Sequence, residues 1–267
     1  MIATNLVSAF LLLLFFAPRQ DNPSSPAPPR IAPLWTWHTE EVEPEDVPRY
    51  EAAIAAIGRA QREAKVPLDV SGWYAIEIGL GRYINIAPLA SYADLDRQPE
   101  RRATLAKLVP DLPKLQEPLH GSLRTHHTKI LRHQADMSYL PAKPIAKQPV
   151  PGYLRIVLEW PRQSRLEEYL KATKELRDAL ARADYPLACQ RFSTRQGEWD
   201  YVYVWEADSA IQFQQTPSVE EALAKIPGGP ELLERTRACL ARVEILEARP
   251  RLDLSALPAD APTWIAR

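Results

Sequence analysis

The chain has 267 residues and an almost balanced charge, with 33 basic and 34 acidic residues. This balance argues against a dedicated nucleic-acid binder, which usually carries a basic excess or a basic stripe. The length suits two units of about 110 residues, each large enough to bury its own core. The 26 prolines, many of them within 18–33 and 141–151, mark linkers.

The N-terminal segment carries a targeting signal. Leu6–Ala17 is an uninterrupted apolar run that a polar, proline-rich stretch follows. Its length is typical of the apolar core of a signal peptide and short for a membrane span, which needs about 20 residues. No basic residue precedes it and no clean cleavage site follows it, so an uncleaved anchor or a misassigned start stays open. We expect an exported protein, periplasmic or secreted, in which residues 1–30 are the signal peptide or short anchor plus a linker.

The first unit, residues 31–145, follows the order β-α-β-β-α-β. Alternating and helical apolar patterns predict its elements in turn. They are a strand at Leu34–Val42, a helix at Val47–Lys65, a hairpin of Trp73–Gly79 and Tyr83–Leu89, a helical region at Arg101–His133 broken by prolines, and a last strand near Ile130–Leu140.

The second unit, residues 153–260, follows a linker at 146–152 and repeats that order. Ser218 and Glu221 form a capping-box pattern at the start of one of its helices. The predicted elements are strands at Tyr153–Trp160, Leu187–Thr194 and Trp199–Ala207, helices at Ser164–Arg182 and Glu231–Arg242, a turn at Gln196-Gly197, and a last strand at Val243–Leu246 and beyond.

The sequence also repeats itself. The pattern D-x-S-x-L-P-A begins at Asp136 and again 117 residues later at Asp253, while Tyr50 recurs as Tyr169 after 119 residues. Landmarks in one order at nearly constant spacing indicate two copies of one unit. We interpret Asp136 and Asp253 as turn formers that bond local backbone N–H groups, because their motif follows the last strand of each copy.

A β-α-β-β-α-β unit forms a ferredoxin-like antiparallel sheet with both helices on one face, which leaves the other face bare. A second copy is the natural cover for that face. We therefore expect an α+β protein in which tandem ferredoxin-like repeats close into one barrel within the chain.

This layout resembles the dimeric α+β barrel superfamily, which includes antibiotic-biosynthesis-monooxygenase-like and NIPSNAP-like proteins. Residues that carry the resemblance include Gly79-Leu80-Gly81, Tyr83–Ile86, Ser91–Asp96 and Asp136–Pro141, and they are similar to an uncharacterised exported bacterial branch. The resemblance is clearest over residues 31–145. It implies the fold but no chemistry, because members include oxygenases, haem enzymes, isomerases and proteins without a known reaction.

The candidate ligand site comes from assigning faces to the strands. If Leu154, Ile156 and Leu158 meet the helices, the opposite face lines the barrel. The barrel-lining candidates are then His38, Glu40, Trp73, Glu77, Arg155, Glu159, Tyr201, Tyr203 and Trp205. They form either a pocket for a small apolar or aromatic molecule or a filled seam between the two sheets.

The first unit is the favoured place for any site. All five histidines lie there, and so do the candidate carboxylates Glu40 and Glu77. An inward Glu40 needs a partner, and His38 is the nearest candidate, so we expect a contact between this carboxylate and the imidazole. His126 and His127 are adjacent and diverge by about 100° on a helix, so they cannot both face one ligand.

The sequence contains no metal-ligand spacing, phosphate loop or nucleophile motif, so we expect no cofactor. Cys189 and Cys239 either pair in an exported protein or are buried apolar side chains. Three functions stay open: binding of a small molecule between the two sheets, a cofactor-independent monooxygenase-like enzyme for a small aromatic substrate, and a structural or interaction protein. We expect a monomer with an internal pseudo-dimer and no nucleic-acid partner.

Overall fold

The computed structural model describes residues 31–146, 148, 150–194 and 201–257. The N-terminal apolar run and the Gln196-Gly197 turn lie outside these residues, so export and that turn stay predictions. Within the described part of the chain, no helix is long and apolar enough to cross a membrane.

Strands and helices occur in the predicted order, with more short helices in each half. The strands are β1 Leu34–Val42, β2 Tyr74–Glu77, β3 Arg82–Leu89, β4 Leu123–His133, β5 Tyr153–Pro161, β6 Cys189–Thr194, β7 Tyr201–Ala207 and β8 Leu240–Pro250. The helices are α1 Val47–Glu63, α2 Ala93–Asp96, α3 Gln98–Leu108, α4 Leu112–Gln116, α5 Leu166–Arg182, α6 Ala210–Gln215, α7 Val219–Leu223 and α8 Gly229–Ala238.

The eight strands close into one antiparallel barrel in the order β1-β3-β2-β8-β5-β7-β6-β4. Two seams join strands 1–4 to strands 5–8, one between β2 and β8 and one between β4 and β6. The predicted α+β class and the closure of the barrel within one chain are thus confirmed.

The two halves keep the spacing of the sequence repeat. β5 begins 119 residues after β1, and α5 begins 119 residues after α1. Tyr50 and Tyr169 are each the fourth residue of their helix. Lys65 and Asp184, also 119 residues apart, both adopt left-handed backbone angles, with φ of 51° and 49°.

The interior of the barrel is apolar, and this corrects the predicted orientation of the strands. Its core contains side chains from all eight strands, among them Trp37, Ile84, Leu131, Leu154, Ile156, Leu158, Phe192, Val202, Val204 and Ala248. The polar and aromatic face of the same strands lies outside, under the helices. Alternation defines two faces but does not say which is concave, and here the tyrosines of α1 and α5 bind the polar face.

The last strand of each half also differs from its prediction. β4 begins at Leu123, before the expected start near Ile130, and α8 ends at Ala238 so that β8 begins at Leu240. Both strands are largely exposed along their first residues. An apolar alternation is therefore weak there, and the boundary was hard to predict.

The repeated D-x-S-x-L-P-A segment links the two halves. Tyr139 of the first copy pairs with Cys189 of the second half, and Ala256 of the second copy pairs with Trp73 of the first. The motif serine accepts a backbone N–H across this contact in both copies, Ser138 from Arg191 and Ser255 from Ala75, at 2.9 Å each. These contacts support a structural role for the motif.

The motif aspartates contact cations. Asp136 pairs with Lys174 at 3.0 Å and Asp253 with Arg251 at 2.7 Å. Cys189 and Cys239 are both buried and unpaired among the described residues. The capping box of Ser218 and Glu221 is confirmed at the start of α7.

Candidate functional site

A cavity of about 430 Å³ lies in the first half, between the outer face of β1 and β3 and the helices α1, α3 and α4. Every residue that lines it lies between Thr36 and Leu119. Its lining is mainly apolar, and a few polar side chains converge on it. Those polar side chains include His38, Glu40, Gln61, Asn85, Arg101 and Arg102.

Glu40 is the centre of the polar network at the sheet wall, and only 8% of it is exposed. Its Oε2 accepts hydrogen bonds from the Tyr50 hydroxyl and, at 2.9 Å, from the Asn85 amide. Its Oε1 contacts His38 Nε2 at 3.0 Å, which is the predicted carboxylate–imidazole contact. Thr128 Oγ1 holds the other ring nitrogen of His38 at 2.6 Å. The imidazole is therefore fixed in orientation at the cavity wall.

Tyr50 anchors this network to α1. Burial, together with the adjacent Glu40 carboxylate, raises the pKa of Tyr50 well above its usual range. The hydroxyl therefore stays protonated and acts as a donor to Glu40. Its ring stacks on Tyr83, with the centroids 4.9 Å apart.

Three polar atoms of the cavity lining are buried and have no hydrogen-bond partner among the described residues: Asn85 Oδ1, Gln61 Oε1 and Arg101 Nε. Such atoms are costly in a folded protein unless water or a ligand satisfies them. Gln61 is 3% exposed and lies on the buried stripe of α1. All three residues line the cavity, which is large enough for a small molecule.

Arg101 and Arg102 make the helical wall cationic. Both lie on α3, a helix without buried residues. Arg101 Nη2 lies 3.3 Å from Asp94, and its side chain is 18% exposed. Backbone N–H groups of Ser91 and Ala90, with the arginines, hold the pKa of Asp94 below its usual range. Asp94 is therefore a fixed anion, and its contact with Arg101 holds that side chain at the cavity wall.

The matching region of the second half carries larger side chains and a smaller cavity, of about 230 Å³. Glu159 faces Tyr201 across β5–β7 as Glu40 faces Tyr83 across β1–β3, which aligns the two sheets. The aligned positions on the inner strands of each sheet carry larger side chains in the second half. First-half residues and their second-half counterparts are Asn85 and Tyr203, Ala87 and Trp205, and Ala75 and Arg191.

Arg191 is fully buried. Its guanidinium carbon lies 4.3 Å from the Tyr201 ring centroid, and 5.1 and 5.2 Å from those of Tyr169 and Tyr203. The Tyr169 hydroxyl donates to Glu159, as Tyr50 donates to Glu40. Burial raises the pKa of Glu159. A guanidinium among three tyrosine rings thus occupies part of the counterpart of the cavity.

Comparisons with known proteins bear on the fold. Two crystal structures named "putative monooxygenase" align over most of the chain. The protein from Lactobacillus acidophilus has a TM-score of 0.53 and 10% identity, covering 84% of this chain and 96% of its own. The protein from Fusobacterium nucleatum has a TM-score of 0.50 and 11% identity, covering 82% and 92%.

An anthrone oxidase-like protein aligns with a TM-score of 0.50 and 16% identity, covering 85% of this chain and 95% of its own. The chain shares their dimeric α+β barrel fold. At these identities the likeness concerns the fold alone. No protein-family model and no curated protein matches the sequence.

Within this α+β barrel, three of the predicted site residues do lie together. His38, Glu40 and Trp73 line the first-half cavity, although on the outer face of the barrel rather than inside it. Glu77, also outside, contacts Arg249 at 2.7 Å and Arg251 at 2.9 Å. It therefore belongs to an ion-pair cluster.

The second-half candidates were also predicted to face inward, and the structure corrects this too. Arg155 binds Glu247 at 2.8 Å and lies over the Phe213 ring, while Trp205 packs edge-on against Tyr185. Glu159, Tyr201 and Tyr203 belong to the stack around Arg191, under α5. Arg155 and Trp205 line a cavity of about 230 Å³, which is smaller than that of the first half.

Sequence reasoning missed Gln61, Asn85 and Arg101. Gln61 could have been identified from the sequence, because it is a polar residue on the apolar stripe of α1. Asn85 lies on the same face of β3 as Tyr83. Arg101 is in a segment that was predicted to be helical, but the packing of this helix against the sheet was not predicted. Only the packing shows that these three side chains meet.

The mouth of the barrel is a second cavity, of about 460 Å³, between the two halves. Trp37 and Trp160 lie in its wall, and His127, Lys129 and Arg242 are among its polar residues. Arg242 pairs with Glu244 at 2.9 Å. Among the described residues, no group of histidine, cysteine or carboxylate side chains is arranged to hold a metal ion.

Proposed function

We propose that the first-half cavity binds a small aromatic molecule with polar substituents. The observation that carries this proposal is a largely apolar cavity of about 430 Å³ whose lining includes three residues with a buried polar atom that lacks a partner among the described residues. We place the site between a sheet and its helices, whereas the sequence predicted a site between the two sheets.

We also propose that the chain consists of two copies of one ferredoxin-like unit, residues 31–145 and 153–260, of which the first keeps a binding site. The constant spacing of 119 residues between equivalent elements supports this. The large side chains of the second copy explain why its cavity is smaller.

Filling the cavity tests the binding proposal. Ala87→Trp introduces the residue that the second half carries at this position, and we expect it to abolish binding of 2-naphthol measured by calorimetry. Ala181→Trp, at an exposed position of α5, is the control and should bind like the parent. Equal binding by the parent and Ala87→Trp would place the ligand elsewhere.

A cofactor-independent oxygenase is the second candidate. The pairing of Glu40 with His38 at the cavity wall favours it, since a carboxylate–imidazole pair serves as a general base. Removal of a proton from an activated CH₂ group leaves a carbanion that reacts with O₂. One oxygen atom becomes the carbonyl of the product, and the other leaves as water with the two hydrogens. The names of the structural neighbours agree with this chemistry.

Anthrone is a suitable probe because its CH₂ group lies between two aromatic rings. We expect the parent to consume O₂ and form anthraquinone, and Glu40→Gln to lower the rate at least about 100-fold, as loss of a general base does. Glu159→Gln, the matched variant in the second half, should keep the rate. If the parent protein binds anthrone but consumes no O₂, the oxygenase hypothesis is wrong and the binding proposal stands.

A further inference from the structure

We propose that the ligand of the first-half cavity is a hydroxyaryl carboxylate, with its hydroxyl at the sheet wall and its carboxylate at α3. This inference rests on the proposed binding function and adds the ligand class. It follows from which partners the buried polar atoms lack and from which wall each atom belongs to.

The sheet wall of the cavity carries a hydrogen-bond acceptor that lacks a donor among the described residues. Asn85 Nδ2 donates to Glu40 Oε2 at 2.9 Å, and an ionised carboxylate can only accept, so the amide orientation is fixed. Asn85 Oδ1 is then a buried acceptor that no described residue satisfies. A ligand hydroxyl supplies the donor that it lacks.

Glu40 excludes an anion from this end. Both of its oxygens are already hydrogen-bonded, to Tyr50 and Asn85 on one side and to His38 on the other. A ligand carboxylate beside it would bring two like charges together in a poorly solvated space. The neutral, donating end of the ligand therefore belongs here.

The helical wall of the cavity carries positive charge that is complementary to an anion. Arg101 Nε is buried and has no acceptor in the described part of the chain, although Nη2 of the same side chain lies 3.3 Å from Asp94. A guanidinium held from one side presents its remaining N–H groups in the planar arrangement that matches a carboxylate. Arg102 adds a second positive charge to the same wall.

An aromatic body suits the space between these ends. Trp73, Ile57 and Leu105 line the cavity and offer apolar contact to a flat ring. The ligand thus has a donor at one end, an anion at the other and an apolar middle.

The test compares three probes by calorimetry: 6-hydroxy-2-naphthoate, 2-naphthoate, which lacks the hydroxyl, and methyl 6-hydroxy-2-naphthoate, which lacks the charge. The shorter pair of 4-hydroxybenzoate and its methyl ester repeats the charge comparison for a smaller ring. In the parent protein we expect each deletion to weaken binding at least about tenfold. The ester loses a charge-assisted hydrogen bond, and 2-naphthoate leaves the buried Asn85 oxygen without a donor.

Two variants assign these effects to residues. Arg101→Gln should abolish the preference for the acid over its ester, while Arg97→Gln should retain it. Arg97 is the matched control because it also contacts Asp94, at 3.7 Å, but is 57% exposed and does not line the cavity. Asn85→Leu should abolish the preference for the hydroxylated acid. Circular dichroism confirms that each variant is folded.

Equal affinity of the parent for acid and ester, or equal effects of the two arginine variants, would overturn this inference. If the probes then still bind and Ala87→Trp still abolishes binding, the proposed function stands without the ligand class. If none of the probes or 2-naphthol binds the parent protein, both proposals fail.

Discussion

Glu40 and Glu159 show how neighbouring side chains decide what a buried carboxylate does. Each accepts a hydrogen bond from a tyrosine ten residues later, on the helix that follows. Beside Glu40 the next strand carries Asn85, and beside Glu159 it carries Tyr203. Asn85 lines the first-half cavity, whereas the larger Tyr203 packs against Arg191.

His133 gives the protein a pH-dependent stability that can be measured. It lies at the seam between β4 and β6, and its Nε2 contacts Gln190 Oε1 at 3.0 Å. Burial lowers the pKa of His133 in the folded protein. Below the usual histidine pKa of about 6.5 the unfolded chain therefore binds this proton more readily, so the free energy of unfolding falls as the pH falls.

We expect the loss of stability between pH 7.5 and pH 5 to be smaller in His133→Asn than in the parent. Urea unfolding at both pH values measures it, and His120→Asn, at an exposed position, is the control. An unchanged pH dependence in His133→Asn would contradict the assignment.

At the scale of elements, each helix layer meets its sheet in a different way. In the first half α1 and α3 bridge a cavity, whereas in the second half α5 lies on the stack of Tyr169, Tyr201 and Tyr203 around Arg191. Arg191 Nε and Nη2 have no hydrogen-bond partner among the described residues, so the rings and Glu159 offset the cost of burying its charge. Stability in this layer depends on the balance of these charges.

Arg191→Ala should destabilise the protein by about 3–5 kcal/mol, because it leaves Glu159 as an uncompensated buried charge and opens a void. Glu159→Gln in the Arg191→Ala background should recover part of this loss. Chemical unfolding of both variants measures the effect. Arg155→Ala, which breaks a half-exposed pair on the same sheet face, should cost about 1 kcal/mol or less. If Arg191→Ala costs no more than Arg155→Ala, the charge balance is not important here.

At the scale of the whole molecule, the barrel is a joint product of both halves. Its core mixes Trp37 and Ile84 from the first half with Ile156 and Val204 from the second. Each half alone would expose this apolar surface to water. The reciprocal contacts of Tyr139 with Cys189 and of Ala256 with Trp73 add a second link between them.

Separate expression of residues 31–146 and 150–267 should therefore give aggregated or unfolded chains. Co-expression should give a one-to-one complex with the circular dichroism spectrum of the intact protein. Size-exclusion chromatography distinguishes these results. Two soluble, folded half-chains that do not associate would show that the shared core is dispensable.

The sequence by itself determined the order of the elements, the repeat and the closed barrel. The order of the elements follows from local periodicity, which is also why β1 matched its predicted bounds. The closed barrel follows because a sheet with helices on one face must bury its other face. The contact between His38 and Glu40 was also predictable, since residues two apart on a strand share a face. Which face of each sheet lines the barrel was not predictable, because the alternation of apolar and polar residues is the same for both faces.

Only the tertiary structure decided where the first-half cavity lies. The cavity exists because Ala87 and Asn85 are small at positions where Trp205 and Tyr203 are large, and strand register is needed to align them. Arg101 reaches the cavity only through the placement of α3. Size differences and buried atoms without partners are properties of packing between distant segments, which no local pattern in the chain encodes.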